Sequence, residues 1–63
     1  MQQTAIRDIK TGEYFKRKAD ASTVYVKGHY DRATKSFSAI DTEDINREIF
    51  IKASKPVFVG FDY

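Results

Sequence analysis

Apolar and polar residues alternate most clearly along residues 23–41, where two β-type runs flank a polar connection. In the first run, the period of two puts Val24 and Val26 on one face of a strand. The opposite face then carries Tyr25, Lys27 and His29. The second run contains the apolar residues Phe37, Ala39 and Ile40. Two such runs, joined by a short polar connection, predict a β-hairpin.

Glycine at position 28 interrupts the first run of this hairpin. Because a glycine inside a strand usually marks a bulge or a sharp bend, we predict one at Gly28. Small barrels need such bends to curl one sheet over on itself. The glycine therefore favours a curled sheet over a flat one.

Short β-type segments recur along the chain at roughly the 8–12-residue spacing of all-β folds. They lie near Glu13, Thr23, Ser36, Glu48 and Val57. We therefore predict an all-β fold of five or six short antiparallel strands, about the usual number for a small sheet. Since an open sheet of this size would leave one face uncovered, we expect it to form a partly closed barrel. A barrel of the SH3-like type fits this length better than an OB-type barrel, which is usually longer.

Residues 41–46 predict the one short helical turn of the fold. Asp41 or Thr42 can cap such a turn, and the acidic residues that follow suit the positive end of its dipole. Ile45 is then the one buried residue of the turn.

The remaining segments complete a single domain that covers residues 1–63. Residues 13–18 alternate as a strand with Phe15 directed inward. Residues 5–9 fit either a strand or one helical turn. Residues 1–4 are polar and are expected to fray.

The composition limits which chemistry the protein can perform and which cellular compartment is expected for it. The chain has 63 residues, with 11 basic and 9 acidic side chains and a net charge of +2, which neither requires nor excludes a polyanionic partner. There is no cysteine, so neither a disulfide nor a thiolate metal site can form. The first residues lack the apolar run of a signal peptide, and no apolar stretch is long enough to span a membrane. We therefore expect a cytoplasmic protein.

The acidic residues between positions 41 and 48 do not match a calcium-binding loop. Asn46 stands where an EF-hand loop has its invariant glycine, and Lys52 stands where it has its bidentate glutamate. With a single histidine in the chain, we predict neither a metal site nor a cofactor.

His29 and Asp31 are the one candidate pair for acid–base catalysis, since alternate residues of a strand share a face. No serine has the context of a nucleophile elbow, and no glycine-rich phosphate loop is present. A domain this small is not expected to enclose a pocket of several hundred Å³. We therefore predict that the protein is not an enzyme.

A face rich in aromatic and basic side chains is the strongest functional feature. If the valines and isoleucines of the strands point inward, the period of two directs the alternate residues outward. The predicted binding residues are Tyr25, Lys27, His29, Phe50, Lys52 and Phe58. Such rings serve as anchors in protein interfaces, and rings with cations also bind single-stranded nucleic acid.

Two other interpretations of this face stay open. Phe50 and Phe58 could form a second small core beneath residues 5–9, or they could be buried in a homodimer. The basic run Lys16-Arg17-Lys18 adds little to either function, because the faces alternate along a strand and lysines commonly protect an edge strand.

Four segments resemble small uncharacterised proteins that phages and mobile elements of gut bacteria encode. They are GEYFK (Gly12–Lys16), VYVKGHYDRATKSFS (Val24–Ser38), EDINREIFIK (Glu43–Lys52) and VFVGFDY (Val57–Tyr63). The resemblance implies an accessory protein that acts in the cytoplasm of a bacterial host cell. It implies no catalytic residue.

The sequence thus predicts a non-enzymatic binding module that acts by contact with a protein, including another copy of itself. The alternative is a small barrel that binds nucleic acid through the same aromatic and basic face. A structural component of a larger particle is a third class.

Overall fold

Six β-strands make up most of the computed structural model, which describes residues 1–62. They are β1 (Gln2–Ala5), β2 (Tyr14–Phe15), β3 (Tyr25–Asp31), β4 (Ser36–Asp41), β5 (Asp44–Lys52) and β6 (Pro56–Val59). One turn of 3-10 helix, Ile6–Asp8, follows β1. The all-β prediction is therefore confirmed for these residues. Tyr63, the last residue of the fourth resembling segment, lies outside them.

The strands form two antiparallel sheets that meet at one β-bridge. The larger sheet has the order β2-β3-β4-β5, and the smaller pairs β1 with β6. The bridge joins Lys16 to Phe58, whose backbone N–H and C=O groups exchange hydrogen bonds of 2.9 and 2.8 Å. Within residues 1–62 the two sheets do not close into a barrel.

The hydrophobic core lies between the two sheets. Phe15 of β2, Val57 of β6 and Ile6 of the 3-10 helix are fully buried in it. The ring of Phe15 stacks on that of Tyr25, with 5.9 Å between the ring centroids. The prediction that Phe15 points inward is confirmed, and this packing draws both sheets to one apolar cluster.

A β-bulge interrupts the β3–β4 hairpin at the predicted glycine. Lys27 pairs with Ala39 and Tyr30 pairs with Phe37, so Gly28 and His29 together oppose Ser38. A Cβ atom at position 28 would lie 2.1 Å from the Ser38 hydroxyl oxygen, so only glycine fits there without a shift. The hairpin and the bulge are both confirmed.

The helical turn predicted at residues 41–46 is wrong. Asp41 ends β4 and pairs with Asp44 at the start of β5, so these residues form a tight β-turn. The Asp41 carboxylate accepts a hydrogen bond from the Glu43 N–H at 2.9 Å, which stabilises the turn. Ile45, expected to be buried, is 81% exposed at the tip of the β4–β5 hairpin.

The amino-terminal residues are ordered by pairing. Gln2 pairs with Val59 and Thr4 with Val57, so most of the segment that was expected to fray forms strand β1. Residues 5–9, for which the sequence allowed either a strand or one helical turn, contain the end of β1 and then the 3-10 helix. The Ile6 N–H donates to the Lys55 carbonyl at 3.0 Å, which fixes this segment against the β5–β6 turn.

Candidate functional site

The six predicted binding residues do not share one face. Tyr25 and Lys27 point into the core side of the sheet, where they are only 6% and 4% exposed. The register explains why they point inward. It sets Tyr25 opposite Phe15 and Lys27 opposite Ala39, and both of these partners are buried. The prediction that Tyr25 and Lys27 point outward is therefore wrong.

Lys27 is held as a buried cation. Its Nζ atom donates a hydrogen bond to the Ile9 carbonyl and lies 4.0 Å from the centroid of the Phe37 ring. Burial lowers the pKa of the Lys27 amine, and the negative charges of Glu13 and Asp8 partly oppose this shift. Lys27 therefore lies inside the fold and does not offer its charge to a partner.

His29 and Phe50 are the two predicted residues that come together. Both are exposed on the face opposite the core, and their rings meet edge to face with 6.2 Å between centroids. The Ser38 hydroxyl lies 3.2 Å from Nδ1 of His29 and orients the imidazole. The bulge at Gly28 brings this about, because it sets His29 beside Ser38, the residue that pairs with Phe50.

The outward side of the larger sheet carries a continuous patch, which we call the aromatic sheet face. It consists of Tyr14, Val26, His29, Ile40 and Phe50. The register places Tyr14 opposite Val26, and Val26 opposite Ile40. Phe50 lies beside this row of three residues, because it pairs with Ser38, two residues before Ile40 on β4. Tyr14 is 49% exposed and Phe50 is 53% exposed, whereas the two aliphatic residues are half-buried.

The other two predicted residues lie apart from this ring pair. Lys52 is exposed at the end of β5, and its Nζ atom donates to the Thr34 carbonyl at 2.8 Å. Phe58 is half-buried on β6, where it bridges to Lys16. Neither Phe50 nor Phe58 forms the second buried core that the sequence left open.

A second surface feature is a cavity of about 520 Å³ between the segment after β2 and the β5–β6 turn. Its lining includes three cationic side chains, Arg17, Lys18 and Lys55, and no acidic residue. Tyr25, Ile51 and Val57, all core residues, also line it. We call it the basic groove.

Sequence reasoning missed the basic groove because it extended β2 through Lys18. The strand ends at Phe15, and the chain turns after the Lys16 bridge, with the Ala21 N–H donating to the Lys18 carbonyl at 3.1 Å. Arg17 and Lys18 therefore lie on a turn, where neighbouring side chains need not alternate between faces. The turn residues Ala19–Ser22 were the available signal for an early strand end.

In comparisons with known proteins, no family model, no curated protein and no solved structure matches this chain. Within residues 1–62, no group of three or more His, Asp and Glu side chains is arranged to hold a metal ion. The same residues contain no helix long and apolar enough to cross a membrane.

Proposed function

We propose that this protein is a non-enzymatic binding module that acts by protein–protein contact. The observation that carries the proposal is the position of Phe50, an exposed ring on β5, which is an edge strand of the larger sheet. An edge strand offers its free backbone groups to an extended segment of another chain. Aromatic side chains beside such an edge supply anchors for that segment.

The backbone of β5 is oriented for this kind of contact. The Ala53 N–H donates to the Lys35 carbonyl at 3.1 Å, so the backbone of Ala53 is directed toward the β4 side of the hairpin. Hydrogen-bonded and non-hydrogen-bonded pairs alternate along an antiparallel ladder. Counting back from Ala53, the backbone groups that point away from β4 belong to Lys52, Phe50 and Glu48. Within the described residues, no strand pairs with this side of β5.

We further propose that the fold is a partly closed barrel of the SH3-like type, supported by the chain length and by the Lys16–Phe58 bridge, at which the two sheets meet. Action in a bacterial cytoplasm, as an accessory protein of a phage or mobile element, is proposed from the sequence resemblance alone.

The proposed function is tested by selecting peptides from a random display library against the purified protein. We expect selected peptides to shift the backbone amide resonances of Glu48, Phe50 and Lys52 when added to the labelled protein. Phe50→Ser should weaken their binding at least tenfold. Ile45→Ser, which removes another exposed apolar residue of β5, is the matched control and should bind as the wild type does. Peptides that map to another surface would overturn the assignment.

Nucleic acid is a second candidate partner, and it is supported by the basic groove. Three cations without a neighbouring acid in the lining create a positive potential in a concave site, as phosphate backbones require. The site differs from the aromatic and basic face predicted for this function. No exposed ring lines the groove, so the contact would involve phosphates more than bases.

Fluorescence anisotropy with a labelled single-stranded oligothymidine tests this candidate. If Arg17, Lys18 and Lys55 each contact a phosphate, the logarithm of the affinity should fall with the logarithm of salt with a slope of about −2. Lys55→Glu should abolish binding, whereas Lys10→Glu, an equal charge change outside the groove, should weaken it only slightly. Absence of binding at low salt would eliminate this function.

A further inference from the structure

We propose that the partner of the β5 edge is the β5 strand of a second copy of this chain, paired antiparallel about a two-fold axis at Phe50. This inference rests on the proposed function, because it names the occupant of the same edge.

The regular part of β5 is symmetric about Phe50. The register with β4 is continuous from Lys52, opposite Ser36, to Glu48, opposite Ile40. Beyond Glu48 the register shifts, and the next pair is Asp44 with Asp41. The regular stretch therefore runs from Glu48 to Lys52, and Phe50 is its midpoint. A two-fold axis through the midpoint is the arrangement in which two such stretches overlap completely.

The backbone groups suit that axis. Phe50, Glu48 and Lys52 direct their N–H and C=O groups toward the free edge. When two copies pair about Phe50, the two Phe50 residues face each other, and each Glu48 faces the Lys52 of the partner. These are the positions at which residues of an antiparallel pair exchange both hydrogen bonds. A shift by one residue would bring residues whose backbone groups point toward β4 to the edge.

The side chains are complementary in the same register. Glu48 and Lys52 are exposed and lie on one face with Phe50, since they are two residues away on either side. Pairing sets each Glu48 side chain opposite a Lys52, twice across the axis, and opposite charges at directly facing positions attract. The Lys52 amine donates one N–H to the Thr34 carbonyl and has two further N–H groups for the carboxylate. Along a single strand the same two residues are about 13 Å apart, at roughly 3.3 Å per residue, so the pair is available between copies only.

Dimerisation also accounts for the exposure of the aromatic sheet face near the edge. The two Phe50 rings become neighbours on one face of a sheet that continues from one copy into the other. Facing aromatic residues are favourable cross-strand pairs. The inward-facing neighbours Ile49 and Ile51 come opposite each other across the same axis, which extends the apolar side of the sheet.

Sedimentation equilibrium over a range of protein concentrations tests the inference with variants in which the charge of Glu48 or Lys52 is reversed. We expect the wild-type mass to rise from one chain to two, and Glu48→Lys to weaken association at least tenfold because Lys52 then faces a like charge. Lys52→Glu should weaken it equally for the same reason. Combining both substitutions in one chain should restore association. Glu43→Lys, the same charge change in the turn before β5, is the matched control and should leave association unchanged.

Mixing the two single variants gives a stricter test of the register. A chain with Glu48→Lys and a chain with Lys52→Glu are complementary at both charged positions, so a heterodimer should form where neither variant self-associates. Phe50→Lys, which places like charges on the axis, should give a monomer. A wild type that stays monomeric at millimolar concentration would overturn the inference, as would an association that ignores Glu48 and Lys52. If selected peptides still map to β5 in that case, the proposed function stands without the dimer.

Discussion

The Nζ atom of Lys27 lies 4.0 Å from the centroid of the Phe37 ring, on the side of the larger sheet that faces the core. A cation over an aromatic face is attracted by the ring quadrupole, and the attraction is stronger where water is excluded. The Ile9 carbonyl accepts a hydrogen bond from the same amine. A small domain without disulfides therefore contains a buried lysine whose partners are a ring and a backbone carbonyl.

Lys27→Met should change how stability depends on pH. The folded protein holds the pKa of Lys27 below the ordinary value of 10.5, so between the two values the unfolded chain binds more protons. The free energy of unfolding of the wild type should therefore rise relative to that of the variant as pH approaches 10.5 from below. Urea unfolding of both proteins at several alkaline pH values measures the difference, and parallel curves would contradict it.

Gly28→Ala should destabilise the protein by about 1–3 kcal/mol, because the new methyl group overlaps the Ser38 hydroxyl. Ser38 is buried and has little room to rotate away. In a Ser38→Ala background the 2.1 Å contact is absent, so the same glycine change should cost less. A double-mutant cycle of urea unfolding measures this coupling. Equal costs in both backgrounds would mean that the bulge, rather than the hydroxyl, excludes a side chain.

Lys35→Gly should stabilise the protein by about 0.5 kcal/mol. Lys35 has a φ of 55°, in the left-handed region that strains an L-residue by roughly 1–2 kcal/mol, and the extra backbone entropy of glycine offsets part of the gain. Arg32→Gly, which replaces another exposed basic residue of the same turn, should give no stabilisation because Arg32 has no positive φ. Thermal unfolding of both variants decides whether backbone strain is the cause.

Phe15→Ala should unfold the domain, whereas Phe50→Ala should leave its stability within about 1 kcal/mol. Removing a fully buried phenylalanine costs about 3–5 kcal/mol, which is comparable with the total stability of a domain this small. Circular dichroism, carried out at low concentration to keep self-association from contributing, measures both. A folded Phe15→Ala variant would show that the two sheets can repack without this ring.

The sequence predicted those features that depend on local chemistry. The polar connection and Gly28 specify the hairpin and its bulge, and Phe15 is the bulkiest apolar residue of its segment. Which face of β3 points to the core was not predictable in the same way. One face carries the valines, and the other carries Tyr25 and Lys27. Contacts with Phe15 and Phe37, which are distant in sequence, decide between the two faces.

The turn at residues 41–44 shows a second limit. Asp41 is suited both to a helix cap and to a β-turn, and its side chain makes the same kind of bond to a backbone N–H in either case. The pairing of Ile40 with Glu48 favours the hairpin, and pairing is a tertiary property. The aromatic sheet face was therefore predicted in part, through His29 and Phe50, while the basic groove required the early end of β2 to be known.

The pairing of β1 with β6 has a kinetic consequence. Strands β3, β4 and β5 are connected by short turns, so their pairing closes only small loops. Gln2 and Val59, in contrast, are separated by nearly the whole described chain. The entropy of closing a loop grows with its length, and folding slows as contacts become less local. The three-stranded meander of β3, β4 and β5 should therefore form first. The pairing of β1 with β6 should be the late step that sets the folding rate.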